Sequence, residues 1–232
     1  MASRKEQKEA LRAERERKEA EAKEAARRRQ MIGYAAGGGL VLVAIVVVVG
    51  IILASGGSDS NSSKNAAEPV AADAFPKGTI PKAKATTLEV AAKAANCEVK
   101  QWPSEGRQHT AGPYTYKTNP PTSGNHFEIP AADGAYTKAP NIGALVHELE
   151  HGRIIIWYPP NAPPSTIGKA KALFDEDSFH MVLTPNTTHM PYAIAASAWT
   201  RSITCPTVTD ATWDALRLFR DRYRDQGPEK VA

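Results

Sequence analysis

The sequence predicts an α+β domain, a small mixed β-sheet with helices packed on it, preceded by a single transmembrane helix. Three observations carry this expectation. Met31 to Ala54 is uncharged throughout and mostly apolar. Beyond residue 86, short apolar runs and helical patterns alternate between Pro and Gly breaks. After the segment His147–His151 the order reads β-α-β-β-α, which layers helices on a mixed sheet and is compatible with a thioredoxin-like layer order.

Charge is concentrated at the start of the chain. Residues 1–30 hold 11 Lys/Arg and 7 Asp/Glu, the whole formal surplus of +4, and the rest of the 232 residues balance to zero. The sequence pI of 9.0 therefore describes an arm, and no nucleic-acid binding by the folded part is expected from it. Glu14–Lys18, Glu19–Lys23 and Glu24–Arg28 set acid four residues before base, the favourable helical order. Without a sustained apolar stripe, 1–30 reads as one exposed, charged helix.

Residues 31–54 would span roughly 36 Å as a helix, against a hydrocarbon core of about 30 Å. A cleavable signal has a shorter apolar region, so an uncleaved anchor in the lipid bilayer is expected. Arg27, Arg28 and Arg29 abut its N-terminal end, and no Lys or Arg follows until Lys64. The positive-inside bias then gives a single-pass protein of the cell membrane with a cytoplasmic N-terminus and everything from Ser55 outside. Residues 55–85, rich in Ser, Gly, Asn and Ala, read as a flexible linker. The extracytoplasmic globular domain is expected over 86–232.

Thr86-Thr87-Leu88-Glu89 has capping-box spacing ahead of a short helix that ends at Asn96. Cys97 follows, and its only counterpart is Cys205. An even count in an oxidising compartment predicts one disulfide between them. A loop closure on the order of 100 residues is worth about 4–5 kcal/mol in the chain-entropy description. The absence of a C-x-x-C pair speaks against thiol–disulfide catalysis.

Trp102 to His126 is loop-rich, with Tyr114–Tyr116 as a candidate short strand. Asn119-Pro120-Pro121-Thr122-Ser123-Gly124-Asn125-His126 is a stiff polyproline piece running into a turn, able to hold His126 in place. A further loop, Pro130 to Pro140, leads to His147-Glu148-Leu149-Glu150-His151. Histidines four apart share a helix face, and Glu150 lies on that face too. Ile154–Tyr158, without alternation, reads as a strand covered on both sides. Ser165–Asp175 reads as a helix capped by Ser165 or Thr166. His180–Leu183 and Ala193–Trp199 read as strands, and Asp210–Arg224 as the last helix, ended by Gly227-Pro228.

Y-K-T-N-P-P-T-S-G-N-H, L-V-H-E-L-E-H-G-R-I-I-I-W-Y-P-P, A-S-A-W-T and the closing G-P-E resemble the bacterial domain of unknown function 3105 family, over roughly Ala92 to Glu229. The resemblance puts His126, His147, Glu150, His151, Trp199 and Glu229 at the family's motif positions and matches His109 to another. It leaves Glu148 at a variable one. It transfers no activity, and the sequence names no protein partner.

Three functional readings follow. The first is a metal-binding domain with His109, His126, His147 and His151 as ligands of zinc or copper, and Glu150 ligating or orienting. His189-Met190 could add a soft ligand for copper. His180, on a strand, would stand apart. No nucleotide cofactor is expected. The second is a zinc hydrolase, since the string matches H-E-x-x-H and H-x-x-E-H. Against it, Gly152 and a β-run follow the second histidine at once. The third is a non-catalytic structural or interaction ectodomain, its histidines held in hydrogen-bonded networks and Trp102, Trp157, Trp199 and Trp213 packed as core.

Overall fold

The computed structural model describes residues 67–231. The expected arm 1–30, the anchor 31–54 and the linker as far as residue 66 lie outside them. Among the described residues no helix is long and apolar enough to cross a membrane.

The domain is a mixed α+β structure of six strands and four helices. In chain order these are α1 (Leu88–Ala94), β1 (Glu98–Gln101), β2 (Gly134–Ala135), α2 (Ile142–Glu150), β3 (Ile154–Tyr158), α3 (Pro164–Glu176), β4 (Met181–Pro185), β5 (Ile194–Ala198), β6 (Arg201–Cys205) and α4 (Asp210–Tyr223). The sheet order is β1-β6-β5-β3-β4-β2. β2, β3 and β4 are mutually parallel, whereas β5 runs against β3 and β6, and β1 against β6.

β3 shows why the sequence lacks alternation. Ile154, Ile156 and Tyr158 face one layer, with α1, α3 and α4, while Ile155 and Trp157 face the other, with Leu145 and Leu149 of α2. Both faces are dry, so apolar residues are required at every position. Burying one such side chain is worth about 1.5–3 kcal/mol. Trp157 keeps its polar atom satisfied by donating from Nε1 to Ser197 Oγ at 2.7 Å.

Several elements differ from expectation. The cap of α1 is Thr87, whose hydroxyl accepts from Val90 N at 3.4 Å, rather than Thr86. α3 starts on Pro164, a residue suited to the first helical turn because its missing N–H has no partner there, and not on a Ser165 or Thr166 cap. Tyr114–Tyr116 is not a strand. Its two rings lie stacked 6.3 Å apart, and their hydroxyls donate to the carbonyls of Thr110 and Asn125, which fixes a loop. β1, β2 and β6 extend the sheet beyond the strands read from sequence.

Residues 67–85 fall in the expected linker, yet they lie on the domain. Phe75 is buried in the main core. Asp214 Oδ2 accepts from the backbone of Lys84 and Ala85 at 2.9 and 3.0 Å, and Arg217 donates to Pro81 O at 2.7 Å. One aromatic anchor and a carboxylate on α4 suffice to pin a stretch whose average composition is polar.

Cys97 and Cys205 are disulfide-bonded, S–S 2.06 Å. The register explains the pairing. Glu98 faces Thr204 across the antiparallel β1–β6 pair, so the residue before one meets the residue after the other.

Candidate metal centre

The centre is assembled where α2 ends. Asn141 caps the helix by accepting from Gly143 N at 2.8 Å, and every residue from Gly143 to Glu150 is buried. His147, Glu150 and His151 project from its last turn. The loop 119–126 is tied to the β5–β6 turn by Thr200 N donating to Thr122 O at 2.8 Å. It delivers His126, which pairs with His109 through a parallel bridge: Thr110 N donates to His126 O and His126 N to Gln108 O. That bridge sets the two imidazoles side by side, ring centroids 5.0 Å apart.

Gly152 (φ 87°) then turns the chain away from the helix. The C-terminal segment docks on this turn, with Asp225 N donating to Gly152 O at 2.8 Å and Glu229 N to Glu150 O at 3.1 Å. A Cβ on Gly227 would stand 2.1 Å from the Glu150 carbonyl oxygen, so only glycine allows the approach. The closing G-P-E thus brings the Glu229 carboxylate to His151, Oε2 to Nε2 3.7 Å.

Two groups result. One ligand atom each from His109, His126, His147 and Glu150 lie within 4.8 Å of one another, and so do those of His147, His151 and Glu229. Imidazole centroids are 4.7 Å apart for His126–His147 and for His109–His147, and 4.4 Å for His147–His151. A tetrahedral zinc with bonds of about 2.0–2.1 Å holds its ligand atoms roughly 3.3–3.4 Å apart, so small rotamer shifts suffice. His126 is fully buried, and His147 and Glu150 are each 4% exposed, while His109 lies at the surface.

The tautomers follow from the partners. His126 Nδ1 lies 2.8 Å from Gly124 O, and His147 Nδ1 lies 2.8 Å from Phe127 O. A carbonyl only accepts, so each Nδ1 carries the proton and each Nε2 keeps its lone pair. His126 Nε2 stands 3.0 Å from Glu150 Oε2, yet it has no hydrogen-bond partner. The distance is short, but the contact does not have the geometry of a hydrogen bond. Trp199 stands edge-on to His126, centroids 6.4 Å apart, and walls the site.

Burial lowers the pKa of His126, His147 and His151 below the usual 6.5, with the neighbouring imidazoles acting in the same direction. Burial, and then the charge of Glu229, raise that of Glu150, against His147, Arg107 and His109. Neutral imidazole is the ligating form.

Glu148 lies elsewhere. Its Oε2 is 3.3 Å from Arg153 Nε, which also meets Asp133 Oδ1 at 3.4 Å. A base at this position is what the H-E-x-x-H reading requires. His180 does not lie on a strand as expected; it precedes β4 with φ 51° and bonds Asp225 Oδ1 through Nδ1 at 2.6 Å. Met190 packs in the core beside Tyr136.

Residues 107–232 match the family described as "Protein of unknown function (DUF3105)", more than half of the chain. The chain belongs to that family. The match opens two residues before His109 and runs past Glu229, so it contains every member of both groups. No curated protein and no solved structure matches the chain. Sequence reasoning had Glu229 only through the family's motifs and gave it no role, and it read Trp199, also a motif position, as core packing and not as a wall of the site. The signal for Glu229 was the glycine two residues before it. The carbonyls of Gly124 and Phe127, which set the tautomers, had none.

Proposed function

We propose that this is a metal-binding domain in which His109, His126, His147 and Glu150 hold one divalent zinc or copper ion, with His151 at the edge of the site. The observation that carries it is the buried His126 Nε2, a lone pair 3.0 Å from a carboxylate oxygen with no hydrogen bond between them. Two acceptors facing each other in a dry place repel, and a cation between them turns repulsion into two bonds. The Nδ1–H to carbonyl bonds of His126 and His147 are the outer support that ligating histidines ordinarily have. The donors are nitrogen and oxygen only, since Met190 is in the core, and such a set suits Zn(II) and Cu(II) alike. Bound there, the ion would supply charge neutralisation and a link between α2 and the loops carrying His109 and His126.

The test is metal content. The purified full-length chain is expected to retain close to one equivalent of zinc or copper after dialysis. His126→Ala and His147→Ala should each lose it, and His180→Ala should keep it. A wild-type chain that emerges metal-free and takes up neither ion on titration overturns the reading.

A further part of the proposal is placement. Residues 31–54 anchor the chain in a membrane with the domain outside, a reading supported by the Arg27–Arg29 cluster and by a disulfide suited to an oxidising compartment. The run β2-α2-β3-α3-β4-β5-β6-α4, with sheet order β6-β5-β3-β4-β2, further supports a thioredoxin-like layer order.

A further inference from the structure

His147 belongs to both ligand groups. Its Nδ1 is committed to Phe127 O, so a single lone pair, on Nε2, serves both. One neutral imidazole nitrogen binds one ion. The two groups are therefore alternatives for the same ion, and they differ in depth. His126, His147 and Glu150 are almost wholly buried. The side chains of His151 and Glu229 are 11% and 49% exposed.

We propose that His147, His151 and Glu229 form a surface seat through which a divalent transition-metal ion loads into, and leaves, the buried group. The inference rests on the metal-binding reading above. A hydrated dication cannot shed its water into a buried cavity without replacement ligands, because an uncompensated charge there is very costly. Glu229 meets the ion at the mouth with a carboxylate, His151 adds a nitrogen, and His147 Nε2 is held in common while the remaining partners change from His151 and Glu229 to His126 and Glu150.

The exposed member of the buried group is His109. The charge close by there is that of Arg107, which acts on Glu150 in the direction of a nearby cation. Arg153 acts on His151 as Arg107 does on Glu150, so what distinguishes the His151 side is the half-exposed carboxylate of Glu229, which attracts an incoming dication. The construction of the C-terminus is consistent with this use. Gly227 packs against the Glu150 carbonyl, and Glu229 N bonds that same oxygen, so the carboxylate is stationed at the mouth by the backbone.

The experiment is kinetic and uses Co(II) alone as probe, with the full-length chain. Uptake is followed by the visible absorption of the bound ion in stopped flow, release by mixing with excess chelator, and affinity by titration. His151→Asn and Glu229→Gln are each expected to slow uptake by at least about tenfold, the lower end of what charge focusing in a cleft contributes. Release should slow by the same factor, with affinity held, because a transit seat lowers the barrier in both directions without altering the end states. Glu229→Gln, at a half-exposed position, guards against a folding effect at His151. Unchanged rates in both variants overturn the proposal. Weaker affinity with faster release also overturns it, since His151 and Glu229 would then be ligands of the final site. A wild-type chain that binds no Co(II), Zn(II) or Cu(II) overturns the metal-binding reading itself, and this proposal with it.

Discussion

Glu148 and Glu150 stand two residues apart on α2 and meet different chemistry. Glu150 faces the imidazoles, and Glu148 faces Arg153 and Asp133. Burial, and then the charge of Asp133, push Glu148 up to about 8 against the pull of Arg153. The folded chain then holds a proton that the unfolded chain, with an ordinary carboxyl near 4.5, has already released. The contribution of this group to stability is therefore lost as pH rises through the window from about 4.5 to about 8. Glu148→Gln is expected to flatten that part of the pH–stability curve and to leave metal retention unchanged. Denaturant titrations of both chains at pH 5 and pH 9 check it, and parallel curves would refute the assignment. At this scale the i,i+4 histidines and Glu150 were legible, because helical periodicity fixes which residues share a face. Glu148 was set apart only by the family resemblance, and its partners Asp133 and Arg153 were not legible, since they come from loops whose path no periodicity encodes.

Elements were legible in proportion to how much apolar surface they bury. β3, β4, β5, α3 and α4 were readable from their runs and stripes. β1 was not: Glu98-Val99-Lys100-Gln101 is a largely exposed edge strand with nothing in its composition to mark it. β2 has two residues. β6 follows β5 after only Trp199 and Thr200, too short a break to be seen. The docking of the C-terminal segment on α2 is another relation between elements that spacing alone does not reveal. It yields a prediction. Gly227→Ala sets a methyl 2.1 Å from the Glu150 carbonyl, so the segment must lift off or strain. A loss of about 1–3 kcal/mol is expected from overpacking of this kind, read as a lowered thermal midpoint. Because the segment carries Glu229, slower Co(II) uptake should accompany it, whereas Gly227→Ala with wild-type stability would mean the contact is soft.

At the scale of the whole molecule, the site and the disulfide occupy opposite ends of the sheet. Trp199, at the β5–β6 turn, walls the histidine cluster. Cys205 closes β6, four residues along the extended strand from Arg201 beside that turn, which at about 3.3 Å per residue is roughly 13 Å away. The Cys97–Cys205 link closes a separation of 108 residues and ties β1, at the sheet edge, to the interior strand β6. Breaking it frees the unfolded chain without touching any ligand, so stability and binding should come apart. The double variant Cys97→Ala/Cys205→Ala is expected to lose about 2–5 kcal/mol against the oxidised wild type, seen as an earlier denaturation midpoint. Below that midpoint it should bind one equivalent of metal with wild-type affinity, because α2, the 119–126 loop and the β5–β6 turn are held by contacts the disulfide does not share. Loss of metal binding in a chain still folded by circular dichroism would show that the two ends of the sheet are coupled, and that the edge strand β1 is needed to hold the β5–β6 turn against His126.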